Sequence, residues 1–193
     1  ITKLRDRSIF KIMLRCGLRI DEVANLARED VYFRRRLIHV KNGKGGKDRI
    51  VFMSNDALID LIAYLEQRSS SLEKKVFLVE KGSCRGKPIS VRGIQKRMEY
   101  YSKKANLKIS SHHLRHTMAT QLLNAGMDLV SIQDLLGHTR IKTTERYTKV
   151  SNIKVMKDYF KAIEEVERRS RTKEEKVGNN WGPAPKPPGF NAL

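Results

Sequence analysis

Residues 36–53 read RLIHVKNGKGGKDRIVFM, and they break the pattern of the sequence on both sides. The runs 37–40 and 50–52 are rich in β-branched and aromatic side chains, which is typical of strands. The segment Asn-Gly-Lys-Gly-Gly-Lys separates them, and this composition favours a short connection between two antiparallel strands. The stretch therefore predicts a β-hairpin in a chain that otherwise has helical character.

The sequence around the hairpin places apolar residues at three- and four-residue steps, which is typical of helices with one face in a core. Gly17, Gly126 and Gly137 close three of these segments, as expected where a helix ends in a left-handed residue. The pattern predicts a mainly α fold with a small antiparallel β-sheet, an α+β class. Helices are expected over about 3–15, 20–27, 56–67, 111–124, 128–136 and 152–169. A further helix is expected from Ser90 onward, and a short one over 144–148. Residues 76–79 are expected to form a short strand or a buried segment.

The 193 residues suit one domain with an appendage. We expect the domain to cover 1–169. Residues 170–193 are charged and then rich in Pro and Gly, so we expect a flexible tail with too few apolar residues to fold alone. The chain lacks an initiator Met and begins inside an expected helix, so we expect it to be a fragment of something longer.

Positive charge is the strongest global feature. Forty Lys and Arg residues against 21 Asp and Glu give a net charge of +19 and a pI near 10.2. Such a charge attracts polyanions, and it fits a ribosomal or heparin-like surface binder or a protein that docks on duplex DNA. No apolar run approaches the roughly 18 residues that a spanning helix needs. Binding to a membrane surface is disfavoured, because no helix pairs a basic face with a large exposed aromatic face.

Cys16 and Cys84 do not suggest a metal or a disulfide. They are far apart, and a structural zinc site needs about four ligands, usually with closely spaced Cys pairs. We expect two reduced thiols, with Cys16 buried near a helix end. No metal and no cofactor is expected.

Six polar residues stand where predicted helices or the hairpin end. Two arginines can hold phosphate oxygens with two donors each, a tyrosine can act as a nucleophile, and a lysine or histidine can transfer a proton. Each residue alone also fits an ordinary surface or packing role. Lys41 or Lys47 could take the place assigned to Lys44 in the hairpin loop. The six are Arg19, Lys44, His112, Arg115, His138 and Tyr147.

These residues occur in motifs that resemble the catalytic domain of the tyrosine recombinases, the family of phage integrases and Xer resolvases. The motifs are GLRIDEV at 17–23, GKGGKDR at 43–49, HHLRH at 112–116, LLGH at 135–138 and TTERYT at 143–148. Their order and separations agree with the family, and the resemblance covers roughly 3–165. It implies the tyrosine-recombinase catalytic-domain fold.

The resemblance also implies a mechanism. Tyr147 would form a 3′-phosphotyrosyl bond, and Lys44 would protonate the departing 5′ oxygen. Arg19, Arg115 and His138 would stabilise the charge that develops on the phosphate. His112 would be the acid–base partner of the tyrosine, and Glu22 would orient a catalytic group. The phosphotyrosine conserves bond energy, so strands could be rejoined without ATP or metal.

Double-stranded DNA is the expected partner. We expect Arg92, Gln95 and Lys96 to enter its major groove, although a solvated helix face is the plain alternative. Lys47 and Arg49, on the hairpin, are expected to be further DNA contacts.

The resemblance implies a tetramer on two DNA sites, joined through the C-terminal helix. The stripe Ile153, Met156, Phe160 and Ile163 on that helix is expected to be exposed and to dock on a neighbouring subunit. The alternative is that the helix folds back on its own domain. Most relatives carry an N-terminal DNA-binding domain that these residues do not include, so we expect recombination by this segment alone to be impaired.

The leading hypothesis is a site-specific recombinase or integrase of the cytoplasm, acting at the nucleoid. A type IB topoisomerase shares the chemistry, and a DNA-binding regulator with a silent site is the third interpretation. A covalent trap on a nicked duplex would separate the regulator from the two enzymes.

Overall fold

The computed structural model of the chain describes residues 3–41, 48–68, 72–137 and 150–176. It has the mainly α architecture with a small antiparallel sheet that the sequence predicts. Short 3₁₀ turns at Arg28–Asp30 and Phe33–Arg35 flank the first strand. The helices and strands are α1 Leu4–Cys16, α2 Ile20–Asn25, β1 Val31–Tyr32, β2 Leu37–Val40, β3 Arg49–Phe52, α3 Asn55–Gln67, α4 Val91–Lys104, α5 Ser111–Asn124, α6 Leu129–Leu136 and α7 Val150–Lys176.

The three strands pair in the order β1-β2-β3, and both pairings are antiparallel. The predicted hairpin is confirmed, with Leu37 opposite Phe52 and Val40 opposite Arg49. Strand β1 was not expected, because two residues are too few to show a strand periodicity. The register places Arg49 at the end of the sheet where β3 begins.

Helix α1 is the centre of the core and packs against α3 and α5. Ile9, Ile12, Met13 and Cys16 on its inner face are buried. The expectation of a buried Cys16 at a helix end is confirmed, and burial raises the pKa of its thiol well above the usual range.

Backbone pairing ends α2 at Asn25, two residues earlier than expected. The carbonyl of Leu26 accepts from the amide of Val76, and Ala27 forms an antiparallel bridge with Lys75. Residues 76–78 are buried. The expected buried segment at 76–79 is therefore present, and its hydrogen bonds take the chain out of α2.

Helix α7 packs on its own domain, against α5, α6 and β3. Ile163 is buried, and Met156 and Phe160 pack against the same core, so the expectation that these three are exposed is wrong. Ile153 is 56% exposed. An apolar face of this size gains free energy wherever it leaves water, and the domain itself supplies the nearest apolar surface.

Helix α7 also extends beyond Arg169, so residues 170–176 are helical instead of part of a tail. The hydroxyls of Ser170 and Thr172 donate to carbonyls one turn back, at Val166 and Arg168. Lys and Glu in this segment are good helix formers, so a helix started by the packed part continues through them. Residues 177–193 and the expected short helix at 144–148 lie outside the described residues.

Candidate functional site

The turn at Gly17 brings three helix ends together. Gly17 has a φ of 66°, in the left-handed region that favours glycine. A Cβ there would lie 2.6 Å from Sδ of Met118 in α5 and 2.8 Å from Cδ2 of Leu136 in α6. The end of α1 therefore lies directly against α5 and α6, and Arg19, the N-cap of α2, is presented at the same place.

Glu22 is the acidic centre of the site. Its Oε2 accepts from the amide of Arg19 at 2.7 Å, and its Oε1 accepts from Nη1 of Arg19 at 3.0 Å. Arg49 donates to the same two oxygens, at 2.7 and 2.8 Å. Burial raises the pKa of Glu22, but the hydrogen bonds from Arg49 and Arg19 outweigh it and lower the pKa below its usual value. Glu22 is therefore a carboxylate at neutral pH.

Arg115 links two of the helix ends. It lies in α5, which begins after the N-cap Ser110, and its guanidinium donates to the carbonyls of Gly17 and Leu136. Partial burial, followed by the charges of Arg19 and Arg49, lowers the pKa of Arg115 to about 10. The guanidinium remains a cation at neutral pH, but one that is held close to other cations.

Two guanidiniums, those of Arg19 and Arg49, bond the Glu22 carboxylate, and the guanidinium of Arg115 lies near enough to interact with their charges. The site therefore has a local excess of positive charge. Arg19 is 26% exposed, and Arg115 is half-buried, so both can reach a bound group. An anion beside Arg19 and Arg115 would relieve their mutual repulsion and accept their remaining donors. Phosphate oxygens suit such a site.

The structure brings Arg19, Glu22 and Arg115 close together, and their catalytic roles stay predictions. His112 is exposed in the first turn of α5, three residues before Arg115 and so on the same side of the helix. Lys44, Lys47, His138 and Tyr147 lie outside the described residues, and their roles stay predictions.

Arg49 does not fit the expected role of a DNA contact. Its side chain is 9% exposed. Its donors face Glu22 and the carbonyl of Leu135, the latter 3.3 Å from Nε. A carboxylate that is only 5% exposed requires a paired cation, and Arg49 supplies one. Sequence reasoning missed this pairing, because the motif shows Arg49 only as one of several basic residues near the hairpin loop.

Lys41, the neighbouring lysine that could be confused with Lys44, has acidic partners of its own. Its Nζ lies 2.6 Å from Asp30 and 3.3 Å from Glu29, in two ion pairs that tie the end of β2 to the 3₁₀ turn before β1. These hydrogen bonds raise the pKa of Lys41, so it is a poorer proton donor than an ordinary lysine.

The DNA-binding residues expected on α4 share its solvent face. Ile94 and Met98 on the opposite face are buried. Nη1 of Arg92 is 3.4 Å from both Gln95 and Glu99, so this arginine also takes part in a surface network. The three expected DNA contacts, Arg92, Gln95 and Lys96, are all exposed.

Among the described side chains, no group of three or more His, Cys, Asp or Glu residues is arranged to hold a metal ion. Within the same part of the chain, no helix combines the length and apolar character that a membrane crossing requires.

Residues 1–153 match the sequence profile described as the phage integrase family. The tyrosine recombinase XerA of Thermococcus kodakarensis is 41% identical over 150 residues, which are 78% of this chain and 52% of that protein. The chain spans about half the length of the curated relatives it matches.

Solved structures agree in fold. A crystal structure of XerA recombinase superposes with a TM-score of 0.66 at 28% identity, covering 88% of this chain and 59% of that one. The XerH site-specific recombinase bound to a palindromic difH substrate, in a post-cleavage complex, superposes with a TM-score of 0.59 at 26% identity, covering 79% and 45%.

Three findings lead to the same conclusion. They are the match over residues 1–153, the similarity to XerA, and the meeting of Arg19, Glu22 and Arg115 at one turn. The chain belongs to the phage integrase family, as an Xer-like catalytic domain of the tyrosine recombinases.

Proposed function

We propose that this chain is the catalytic part of a site-specific DNA recombinase or integrase, which cleaves and rejoins strands through a 3′-phosphotyrosyl intermediate. The observation that carries the proposal is the cluster at the end of α1, in which Arg115 is held by the Gly17 and Leu136 carbonyls beside the Arg19–Glu22 pair. Such a cluster favours a bound anion, and the scissile phosphate of DNA supplies one.

The proposed first step is an in-line displacement at phosphorus. The Tyr147 oxygen bonds to phosphorus, the bond to the 5′ oxygen breaks, and Lys44 gives that oxygen its proton. His112 accepts the proton of the tyrosine. Arg19 and Arg115, with His138, hold the non-bridging oxygens as their charge grows. Attack by another 5′-hydroxyl reverses the step and rejoins the strand, so neither ATP nor a metal is consumed.

The arginines are well prepared for this task. The Gly17 carbonyl and the Leu136 carbonyl hold two of the five N–H groups of Arg115, which leaves the others for the phosphate. Glu22 holds Arg19 in a similar way. Donors fixed before the reaction need no reorganisation as charge develops, and this is the main source of electrostatic catalysis.

We propose double-stranded DNA as the partner, with Arg92, Gln95 and Lys96 of α4 in the major groove and Lys47 against the backbone. The solvent face of α4 supports this assignment, because its basic residues are free of core contacts. The relatives that match are recombinases, so a topoisomerase-like or catalytically silent protein is not favoured. Action in the cytoplasm, at the nucleoid, is part of the proposal.

A tetramer on two DNA sites also remains a proposal. The face of α7 that was expected to mediate it is covered by its own domain, so a whole-helix exchange would expose core residues. Ile153 is the exposed member of the expected stripe and is our candidate for a contact with a neighbour. Ile153→Ser should reduce assembly on DNA in analytical ultracentrifugation without changing stability. Unchanged assembly would contradict this contact.

The nucleophile is tested with a library of nicked duplexes of randomised sequence, in which cleavage near the nick traps the covalent product. Wild-type protein should form an adduct that survives denaturing electrophoresis, and sequencing the attached DNA defines a substrate. Tyr147→Phe should form no adduct and bind DNA with nearly unchanged affinity, because only a hydroxyl is lost. Tyr100→Phe, at an exposed tyrosine, is the matched control and should still form it. An adduct with Tyr147→Phe would overturn the assignment.

A further inference from the structure

We propose that Arg49 is a positioning residue for strand cleavage. It holds Glu22, and through Glu22 also Arg19, at a fixed position relative to the end of α6. This inference rests on the proposed function, because it assigns Arg49 a part in placing Arg19 against the phosphate. Three independent contacts of one side chain support it.

The first contact is the bidentate pair with Glu22. Each carboxylate oxygen accepts one bond from Arg49 and one from Arg19: Oε1 from the two Nη1 atoms, and Oε2 from Nη2 of Arg49 and the amide of Arg19. Glu22 is only 5% exposed. Without Arg49, each oxygen would keep a single bond, and a buried carboxylate would lose half of its neutralisation. Glu22 could then no longer hold Arg19 in one position.

The second contact is with the end of α6. Nε of Arg49 donates to the carbonyl of Leu135, while Arg115 donates to the carbonyl of Leu136. The last carbonyls of a helix have no partner within the helix. Arg49 and Arg115 therefore each satisfy one of two adjacent carbonyls at the end of α6. The placement of Arg49 and the placement of Arg115 are thereby coupled.

The third contact is steric. Gly137 has a φ of 65°, and a Cβ there would lie 3.0 Å from Cδ of Arg49 and 3.4 Å from its Nε. The stem of Arg49 therefore fills the space beside Gly137, the residue that precedes His138 in the sequence. Arg49 is also the first residue of β3, so a single side chain connects α2, β3 and α6.

Lysine cannot reproduce these contacts. Its single ammonium has no planar pair of donors to match a carboxylate, and it cannot at the same time reach the Leu135 carbonyl. Arg49→Lys therefore keeps the charge and removes the geometry. Arg49→Met removes both and keeps most of the stem.

The experiment compares Arg49→Lys and Arg49→Met with wild type on a defined nicked duplex recovered by the adduct trap. The matched control is Arg15→Met, because Arg15 is 8% exposed and ion-paired to Asp56 at 3.2 Å, outside the site. Adduct formation is measured in single turnover at saturating DNA, with the dissociation constant and the melting temperature measured in parallel.

We expect both Arg49 variants to slow adduct formation by roughly 100-fold, the effect of about a 1 Å misplacement of a catalytic group. DNA affinity should stay near that of wild type, and Arg15→Met should lower stability without slowing adduct formation by the folded protein. Glu22→Gln should slow the reaction as well. The double variant Arg49→Met/Glu22→Gln should be no slower than the slower single variant, because the two residues act through the same contact.

Several outcomes would overturn the inference. A wild-type rate of adduct formation in Arg49→Met or in Arg49→Lys would do so, and so would losses that multiply in the double variant. A further contradicting outcome is weaker DNA binding with a shallower salt dependence and an unchanged rate at saturating DNA. The last would identify a DNA-phosphate contact instead. Absence of adduct from wild-type protein is a different result, which overturns the proposed function and the inference with it.

Discussion

The hydroxyl of Tyr159 in α7 donates to the carbonyl of Arg15 in the last turn of α1, over 3.1 Å, and the tyrosine is fully buried. The final carbonyls of a helix have no partner within the helix. A side chain 144 positions away in sequence therefore satisfies the end of α1. Helix α7 is in this sense part of the core of its own domain.

Tyr159→Phe tests this contact. The change leaves the Arg15 carbonyl buried without a partner, so the free energy of unfolding should fall by about 1–3 kcal/mol. Urea unfolding followed by circular dichroism measures it. Tyr100→Phe, on the exposed face of α4, should change stability by less than about 0.5 kcal/mol. Equal effects of the two substitutions would show that α7 is not docked as described.

Glu167→Gln tests the same docking through pH. The amide of Asp56 donates to Oε1 of Glu167 at 3.2 Å. Burial, together with the Asp56 carboxylate, raises the pKa of Glu167. A raised pKa in the folded state means that this group contributes stability at low pH, which is lost as the pH rises through the folded pKa.

Glutamine keeps the acceptor oxygen and removes the charge. Glu167→Gln should therefore raise the melting temperature at pH 7, and the difference should vanish as the pH falls below about 4, near the usual pKa of a glutamate. Glu164→Gln, one turn earlier on the exposed side of α7, is the control and should have no such effect. A lower melting temperature for Glu167→Gln at pH 7 would contradict the assignment.

Gly17→Ala should be costly in two ways. The left-handed backbone costs an alanine roughly 1–2 kcal/mol, and the contacts with Met118 and Leu136 add overpacking of about 1–3 kcal/mol. Gly126→Ala separates the two terms, since Gly126 has a φ of 87° and nothing within 4 Å of its Cβ position. Urea unfolding should show the larger loss for Gly17→Ala, and loss of adduct formation should accompany it because Arg19 moves. Equal losses would mean that the helix ends are not in close contact.

Lys44→Ala should slow cleavage of a normal 5′-oxygen leaving group by about 10²- to 10⁴-fold, the usual contribution of a general acid. A bridging 5′-thio substrate leaves without a proton and should be much less affected. Lys41→Ala should show no such selectivity, because Asp30 and Glu29 already bind Lys41. If Lys47→Ala shows the thio-selective loss instead, Lys47 is the acid.

DNA binding should weaken steeply with salt, because a net charge of +19 implies many phosphate contacts and the release of counterions. Arg92→Gln should reduce the slope of log K against log salt by about one, the share of a single contact. Adduct formation should proceed in EDTA. Activity that is lost in EDTA and restored by magnesium would contradict the proposed mechanism.

The parts of the fold that depend on local sequence could be predicted. The hairpin over 37–52 follows from β-rich runs on either side of a glycine-containing loop, and most helix bounds follow from apolar spacing and glycine ends. Strand β1 could not be predicted, because its two residues become a strand only by pairing with β2.

The chemical groups of the site could be named without coordinates, because the motifs that contain Arg19, Glu22 and Arg115 resemble those of the tyrosine recombinases. How these groups are held depends on contacts between distant parts of the chain. Arg49 lies 27 positions from Glu22 and 86 from Leu135, and Tyr159 lies 144 positions from Arg15. Local periodicity indicates which face of an element is apolar, but not which element covers it. That choice depends on the free energy of packing between distant segments, and it places α7 on its own domain and Arg49 beside Glu22.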